Sequence, residues 1–337
     1  MKPRIFLLTL ALVFAFPSAG HTADAKTFQK SRALIDTFVT ITAVSDSPDR
    51  ADAAIDRAFS VIERFGDLID FYKDTSELSE INRNAGIKPV RVSRTTFELI
   101  EAALVVSRNT GGAFDPTIGP VMKLWDFPRK KRPAESEIRK TLPLVNYRNV
   151  VTDKANSTVF LKKKGMLLDL GGIAKGFAAD LAVADMKANG ISAGIVAIAG
   201  DIRTFGKKPN GSDWNIGVKN PRRKTSTDEL VAKVRLSDRA ISTSGDYERF
   251  FMIGSERFHH LLDPKTGHPA RGCISVSVIS DRGVLSDGYD NAVFILGPER
   301  GLNLVRKMGF DAIIVDKDEK VIVTDGLKDS TTVEKKH

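Results

Sequence analysis

Asp287, Asp290 and Asn291 stand at i, i+3 and i+4, so a helix through them would carry all three on one face. Two carboxylates and an amide oxygen side by side suit a hard cation, Mg²⁺ or Ca²⁺. Backbone carbonyls, water and a ligand phosphate would complete the shell. With Ser286 as the cap, Tyr289, Ala292, Val293 and Leu296 fall on the opposite, core-facing side. An acidic helix N-terminus that merely complements the dipole has the same spacing, and both readings stay open.

A second stretch, Asp169-Leu-Gly-Gly-Ile-Ala-Lys-Gly-Phe-Ala-Ala-Asp180, runs from a short apolar strand (166–170) through two glycines into a helix (173–188). Glycines allow close backbone approach, and a helix start aims unpaired N–H groups and partial positive charge at a ligand. A phosphate or pyrophosphate fits that arrangement, although the same turn also serves plain packing. In His259-His260-Leu-Leu-Asp263-Pro-Lys-Thr-Gly267 a strand (257–262) ends in a tight turn. Adjacent strand residues point to opposite faces, so at most one of the two histidines serves as a general base.

Weaker loops surround these. Gly111-Gly-Ala-Phe114-Asp115-Pro-Thr-Ile-Gly119 offers the Phe114 ring for stacking and Asp115 as an acceptor for ribose or base donors. Tyr72 is a lone aromatic in the polar loop that leads to Asn82, and Ser242-Thr-Ser-Gly245-Asp-Tyr247 is a Ser/Gly turn near a strand end. No nucleophilic triad motif, Walker loop, Cys/His metal spacing or Rossmann fingerprint occurs.

The elements that must position these residues are legible from periodicity. Strands are expected at 34–44, 193–198, 214–219, 230–236 and 274–279, with hairpins over 150–160 and 310–324. Helices are expected at 53–69, 95–109, 173–188, 286–296 and 298–308, with a surface excursion over 126–143 and a polar, frayed tail over 328–337. Strands cluster and helices cluster, which indicates an α+β fold and not a doubly wound α/β sheet.

A basic start, Met1-Lys-Pro-Arg4, an apolar run over 5–16 and Ala23-Asp-Ala25 have the form of a cleaved secretory signal, 1–25. The run falls short of the roughly 20 residues of a membrane span. Cys273 is the single cysteine, so no intramolecular disulfide forms and a buried, inert thiol is expected. The formal charge is +9 from 51 Lys+Arg against 42 Asp+Glu. The basic clusters at 129–132, 162–164 and 222–224 are scattered and lack interleaved aromatics, so nucleic-acid binding is not indicated.

Eight blocks taken in order resemble the ApbE family, the FAD:protein FMN transferases. They are Ile35-Asp-Thr37, Tyr72 with Ser76-Glu-Leu-Ser-Glu-Ile-Asn82, Gly112-Ala-Phe-Asp-Pro-Thr-Ile-Gly119, Asp169-Leu-Gly-Gly-Ile-Ala-Lys-Gly176, Gly200-Asp-Ile-Arg203, Ser242-Thr-Ser-Gly-Asp-Tyr247, His260-Leu-Leu-Asp-Pro-Lys-Thr-Gly267 and Ser286-Asp-Gly-Tyr-Asp-Asn291. The resemblance runs over roughly residues 31–325 and implies one domain (26–327) of two intimately packed α/β subdomains around mostly antiparallel sheets. It implies a periplasmic, Mg²⁺-dependent enzyme that moves the FMN half of FAD onto a Thr or Ser hydroxyl of an exported acceptor and releases AMP. The family's usual acceptors are subunits or regulators of respiratory membrane complexes. By the same resemblance Gly172, Asp287, Asp290 and Asn291 hold the metal, and His260 is the base. Ile35, Tyr72, Ala113, Phe114, Asp115, Asp169, Lys175 and Leu262 contact FAD. The chain departs from the common pattern with Ile35-Asp36 for Met-Gly and Asn291 for Thr. Alternative readings are an FAD pyrophosphatase and a flavin-binding carrier or maturation protein. The chain lacks the Asp-x-x-Ser/Thr-Gly-Ala-Ser/Thr motif that the family modifies, so the acceptor is expected to be another protein.

Overall fold

In chain order the elements are β1 (Lys26–Leu34), β2 (Thr37–Ser45), α1 (Pro48–Ile69), α2 (Glu77–Arg83), β3 (Val90–Arg91), α3 (Arg94–Asn109), α4 (Gly119–Met122), α5 (Glu135–Thr141), β4 (Val150–Asp153), β5 (Thr158–Leu161) and α6 (Ala174–Ala188). They continue with β6 (Ala193–Ile198), β7 (Asp201–Phe205), β8 (Trp214–Lys219), β9 (Leu230–Leu236), β10 (Ala240–Gly245), β11 (Phe250–Ile253), β12 (Glu256–His259) and β13 (Cys273–Ser280). The last are α7 (Gly283–Leu296), α8 (Pro298–Met308), β14 (Asp311–Asp316), β15 (Val321–Val323) and β16 (Thr331–Val333). This computed structural model describes residues 25–222 and 229–333. Residues 1–24 of the expected signal segment, most of the basic cluster at 222–224 and the last four residues lie outside the described residues. Among the described residues no helix is long and apolar enough to cross a membrane.

An eight-stranded sheet, ordered β1-β2-β6-β7-β10-β13-β14-β15, forms the frame, and every neighbouring pair is antiparallel. Side chains alternate between two apolar layers, as a pleated strand requires. Val39, Ile41, Val276, Val278, Ala312 and Ile314 join the core under α1, α6 and α7. Ile241, Ile279, Ile313 and Val315 pack instead with Trp214, Ile216 and Val234 of the smaller β16-β9-β8 sheet. With both faces covered, β13 is buried along its whole length. Cys273 is buried on that strand, and burial pushes its thiol up to about 12, so it is inert.

The α+β class holds, and several boundaries differ from expectation. The strand expected at 34–44 is the second arm of a hairpin, because Ile35 and Asp36 both adopt positive φ (46° and 59°) and turn the chain between β1 and β2. A β-branched residue in that region is strained by about 1–3 kcal/mol. Ile35 is accommodated because Gly66 of α1 lies beneath it: a Cβ there would come within 2.4 Å of Ile35 Cγ2. Strands β7, β10 and β11 are additional, the excursion at 126–143 contains α5, and the strand expected over 257–262 ends at His259. Residues 166–170 make no ladder; Asn82 clamps both backbone groups of Leu168 (2.7 and 3.0 Å) and Asp169 N–H bonds to Pro116 O (2.7 Å). The tail is not frayed throughout, since Thr331–Val333 pairs with β9.

Helix α7 begins at Gly283, so Ser286 does not cap it; the Ser286 hydroxyl instead reaches Ser280 and Ala240 O (2.9 and 3.2 Å). The cap comes from α6. Both carboxylate oxygens of Asp180 accept from the first α7 amides, Gly283 N–H at 2.8 Å and Val284 N–H at 3.0 Å. Arg203 of β7 braces the same carboxylate at 3.2 Å. The helices cross where Gly176 meets Gly283, and a Cβ on Gly176 would lie 2.1 Å from Gly283 O. Asp180→Ala should therefore lower stability by about 2 kcal/mol or more, through two uncapped amides and an unpaired Arg203. Asp180→Asn, which keeps an acceptor, should lose less. A urea midpoint unchanged by Asp180→Ala would show that the cap contributes nothing.

Candidate active site

Three carboxylates converge beside the α6–α7 crossing. Asp287 and Asp290 come from one face of α7, as their spacing requires, and Asp201 opens β7 directly after the Ala199-Gly200 turn. An oxygen from each lies within 4.8 Å of the others, and all three side chains are buried. Asp201 was not anticipated as a ligand. Its block, Gly200-Asp-Ile-Arg203, is visible in the sequence, but a lone aspartate after a turn has no spacing partner nearby.

Burial, reinforced by Asp201, pushes the Asp287 carboxyl up. Burial, followed by the charges of Asp287 and Asp201, raises that of Asp290 still more clearly. The repulsion is large enough to matter: unit charges about 4 Å apart at an effective dielectric of about 20 interact by about 4 kcal/mol. Several donors relieve part of it. The Lys175 ammonium contacts Asp201 Oδ2, the Ser244 hydroxyl donates to Asp290 Oδ1 at 3.2 Å, and Gly176 N–H donates to Asp287 Oδ2 at 2.8 Å. Burial alone would weaken the Lys175 ammonium, yet Asp201, Asp287 and Asp290 outweigh it and hold its pKa above the ordinary value. Asp201 Oδ1 remains buried with no partner. Clustered oxygens, excess negative charge and an orphaned buried acceptor fit a hard divalent cation.

Gly172 closes one side. The Asn291 amide nitrogen reaches Gly172 O (3.2 Å), Asp287 O (3.0 Å) and Asp290 Oδ1 (2.9 Å), so this residue ties the glycine turn to α7. It acts here through its N–H₂ group and not through the carbonyl oxygen expected of a metal ligand. A Cβ on Gly172 would press within 3.3 Å of both Asn291 and Phe114.

The phosphate cradle expected at the start of α6 is altered by this geometry. Ile173 and Ala174 N–H both bond to Leu170 O, and Gly176 N–H is taken by Asp287. The helix N-terminus thus already holds an anion, a carboxylate of α7. Asp169 turns back on its own loop, with Oδ1 accepting from Gly171 N–H at 2.9 Å.

The remaining candidates separate. Phe114 is buried beside Gly172 rather than open for stacking. Asp115 is a loop staple: its carboxylate accepts from Thr117 N–H and hydroxyl (2.9 and 2.6 Å) and from Tyr147 N–H (2.9 Å). It is therefore engaged internally and is not the open acceptor expected for a ribose. Ala113 is buried in the same loop, and the Leu262 side chain packs with Trp125 and Phe258 in a separate cluster. Tyr72, just beyond α1, is 87% exposed and presents its ring to solvent. Ile35 sits on the β1–β2 turn, at the same end of the sheet as the Ala199-Gly200 turn, because Val39 pairs with Ile198 and Ile198 with Asp201.

The two histidines differ in their engagement, with His259 closing β12 and His260 just beyond it. His259 engages both ring nitrogens, with Ala270 O at 2.9 Å and Leu261 N–H at 3.3 Å, and is structural. His260 keeps a buried Nδ1 without a partner. Burial, then the charge of Arg249 and more weakly that of His259 and Lys175, pushes it down to about 3, so its ring is neutral.

The ApbE family profile matches residues 35–314. A Treponema pallidum protein described as FAD:protein FMN transferase is 33% identical over 94% of this chain and 92% of its own length. A Klebsiella pneumoniae protein with the same description is 34% identical over 81% of this chain and 85% of its own. Among solved structures, the ApbE protein of Thermotoga maritima superposes with a TM-score of 0.83 at 31% identity, covering 89% of this chain and 98% of that one. On this match and this fold, the chain belongs to the ApbE family.

Proposed function

We propose that this protein is a Mg²⁺-dependent FAD:protein FMN transferase acting on a Thr or Ser hydroxyl of an exported acceptor and releasing AMP. The observation that carries the reading is the buried triad Asp201, Asp287 and Asp290, together with the glycine turn and a buried, neutral histidine whose Nδ1 has no partner. The descriptions of the curated relatives support it. The expected signal segment supports a periplasmic location; N-terminal sequencing of the exported protein should begin near Lys26, and an intact Met1 on the exported form would refute cleavage.

The chemistry follows from the groups present. Tyr72 offers an exposed face for the flavin ring. Asp201, Asp287 and Asp290 would hold Mg²⁺, which would supply positive charge against the diphosphate. His260 Nδ1 accepts the hydroxyl proton while the hydroxyl oxygen bonds to the FMN phosphorus and AMP leaves.

The direct test incubates the protein with FAD, Mg²⁺ and an acceptor domain bearing the family's target motif. The expected result is a covalent mass gain equal to FMN. Free FMN without an adduct would instead identify a pyrophosphatase, and unreacted bound FAD a carrier. Asp287→Asn should abolish metal-dependent turnover, and full activity in that variant would remove the triad from the reaction. His260→Ala should lower kcat by about 10²–10⁴-fold with FAD binding retained. Because the His260 ring is already neutral above about pH 3 in the free protein, kcat/KM should show no His260 limb between pH 5 and 8. A limb there that His260→Ala removes would contradict this environment.

A further inference from the structure

Lys175 supplies the positive charge paired with the carboxylate cluster. Its ammonium meets Asp201 Oδ2, and the charges of Asp287 and Asp290 also bear on it. One positive charge faces three buried carboxylates, and Asp201 Oδ1 still lacks a partner. The lysine side chain retains 35% exposure although its target is buried, so a path toward solvent is open to it. The α6 amides that would ordinarily receive a phosphate are engaged with Leu170 and Asp287. A diphosphate arriving here needs positive charge from elsewhere.

We propose that Lys175 is the resident cation of the Asp201–Asp287–Asp290 cluster in the metal-free protein, and that an entering divalent cation displaces its ammonium toward the diphosphate of the bound dinucleotide. A divalent ion brings twice the charge to the same three carboxylates and repels the ammonium already paired with Asp201, so the two cations compete for the cluster. The displaced group stays protonated, and its flexible four-carbon stem lets the charge relocate without backbone movement. Lysine is a competent point-charge ligand for phosphate. One residue thus stabilises the empty site and then orders the events, metal first and dinucleotide tightened afterwards. This inference rests on the reading that the site takes Mg²⁺ and FAD.

The test is a Mn²⁺ titration of the full chain without FAD, followed by electron paramagnetic resonance, on the wild type, Lys175→Met and Lys175→Arg. Lys175→Met, freed of the competitor, should bind Mn²⁺ about tenfold or more tightly, equivalent to about 1.4 kcal/mol. Its metal-free form should melt below the wild type, and saturating Mn²⁺ should restore it. Lys175→Arg, still cationic, should bind no more tightly than the wild type. At saturating Mn²⁺, Lys175→Met should bind FAD at least about tenfold more weakly, again about 1.4 kcal/mol. Lys175→Gln reads the same titration if the methionine variant does not fold. Equal or weaker Mn²⁺ binding in the neutral variants, or unchanged FAD affinity, would overturn the displacement while leaving FMN transfer standing. Absence of Mn²⁺ binding in every form would overturn both this inference and the metal assignment.

Discussion

Two crossing helices hold each other's N-termini, and the site depends on that reciprocity. Asp180 of α6 receives the first amides of α7, while Asp287 of α7 receives an amide of the first turn of α6. Each carboxylate completes a helix start that would otherwise leave buried donors unpaired, and each sits at the positive end of a helix dipole. The arrangement needs direct backbone contact, which Gly176 and Gly283 allow. It fixes the rotation of α7 and therefore the direction in which Asp290 and Asn291 face. The sheet contributes the other half of the constraint: β7 and β10 run under the crossing and deliver Asp201 and Ser244 to it.

That geometry gives Asp287 two functions that pull together. As a cap it is oriented by Gly176, and as one of three clustered carboxylates it is destabilised by its neighbours. A cap alone would have no use for Asp201 and Asp290 beside it. A purely structural cluster would be expected to have all its oxygens satisfied, because unpaired buried acceptors are costly. The orphaned Asp201 Oδ1 and the raised carboxyl of Asp290 are the features that the proposed cation would relieve.

Much of this was legible in the sequence where signals were local. The spacing Asp287-x-x-Asp290-Asn291 placed its residues on one helix face, whereas the sequence left open which of the two neighbouring histidines is engaged: His259 is bonded at both ring nitrogens and His260 Nδ1 has no partner. The periodicity of α1, α3 and α8 reproduced those helices within a few residues. What was missed depends on distant pairing. Asp201 gains meaning only when β7 is laid beside β10, and Asp180 only when α7 arrives more than a hundred residues later. The Ile35-Asp36 turn escaped notice because a β-branched residue at positive φ is tolerated only where Gly66 clears space for it. The motif around Phe114 and Asp115 was read as ligand-facing; in the fold the Phe114 ring backs Gly172 and the Asp115 carboxylate ties its loop to Tyr147, contacts that depend on distant segments.

Asn291 and Lys175 show how charge and reach are divided in this chain. The Asn291 amide bridges Gly172 O and Asp290 Oδ1, so it closes the glycine turn onto α7 without adding charge. Lys175 neutralises Asp201 from the opposite helix. With both in place the carboxylates are spaced and partly compensated before any ligand arrives, which limits the rearrangement that binding requires. The α6 N-terminus, often the phosphate site after a glycine turn, is closed by Asp287. In the proposed function, positive charge for a diphosphate would then come from a bound cation and Lys175. A side chain that exchanges partners would suit the proposed reaction, in which a dinucleotide is bound and split.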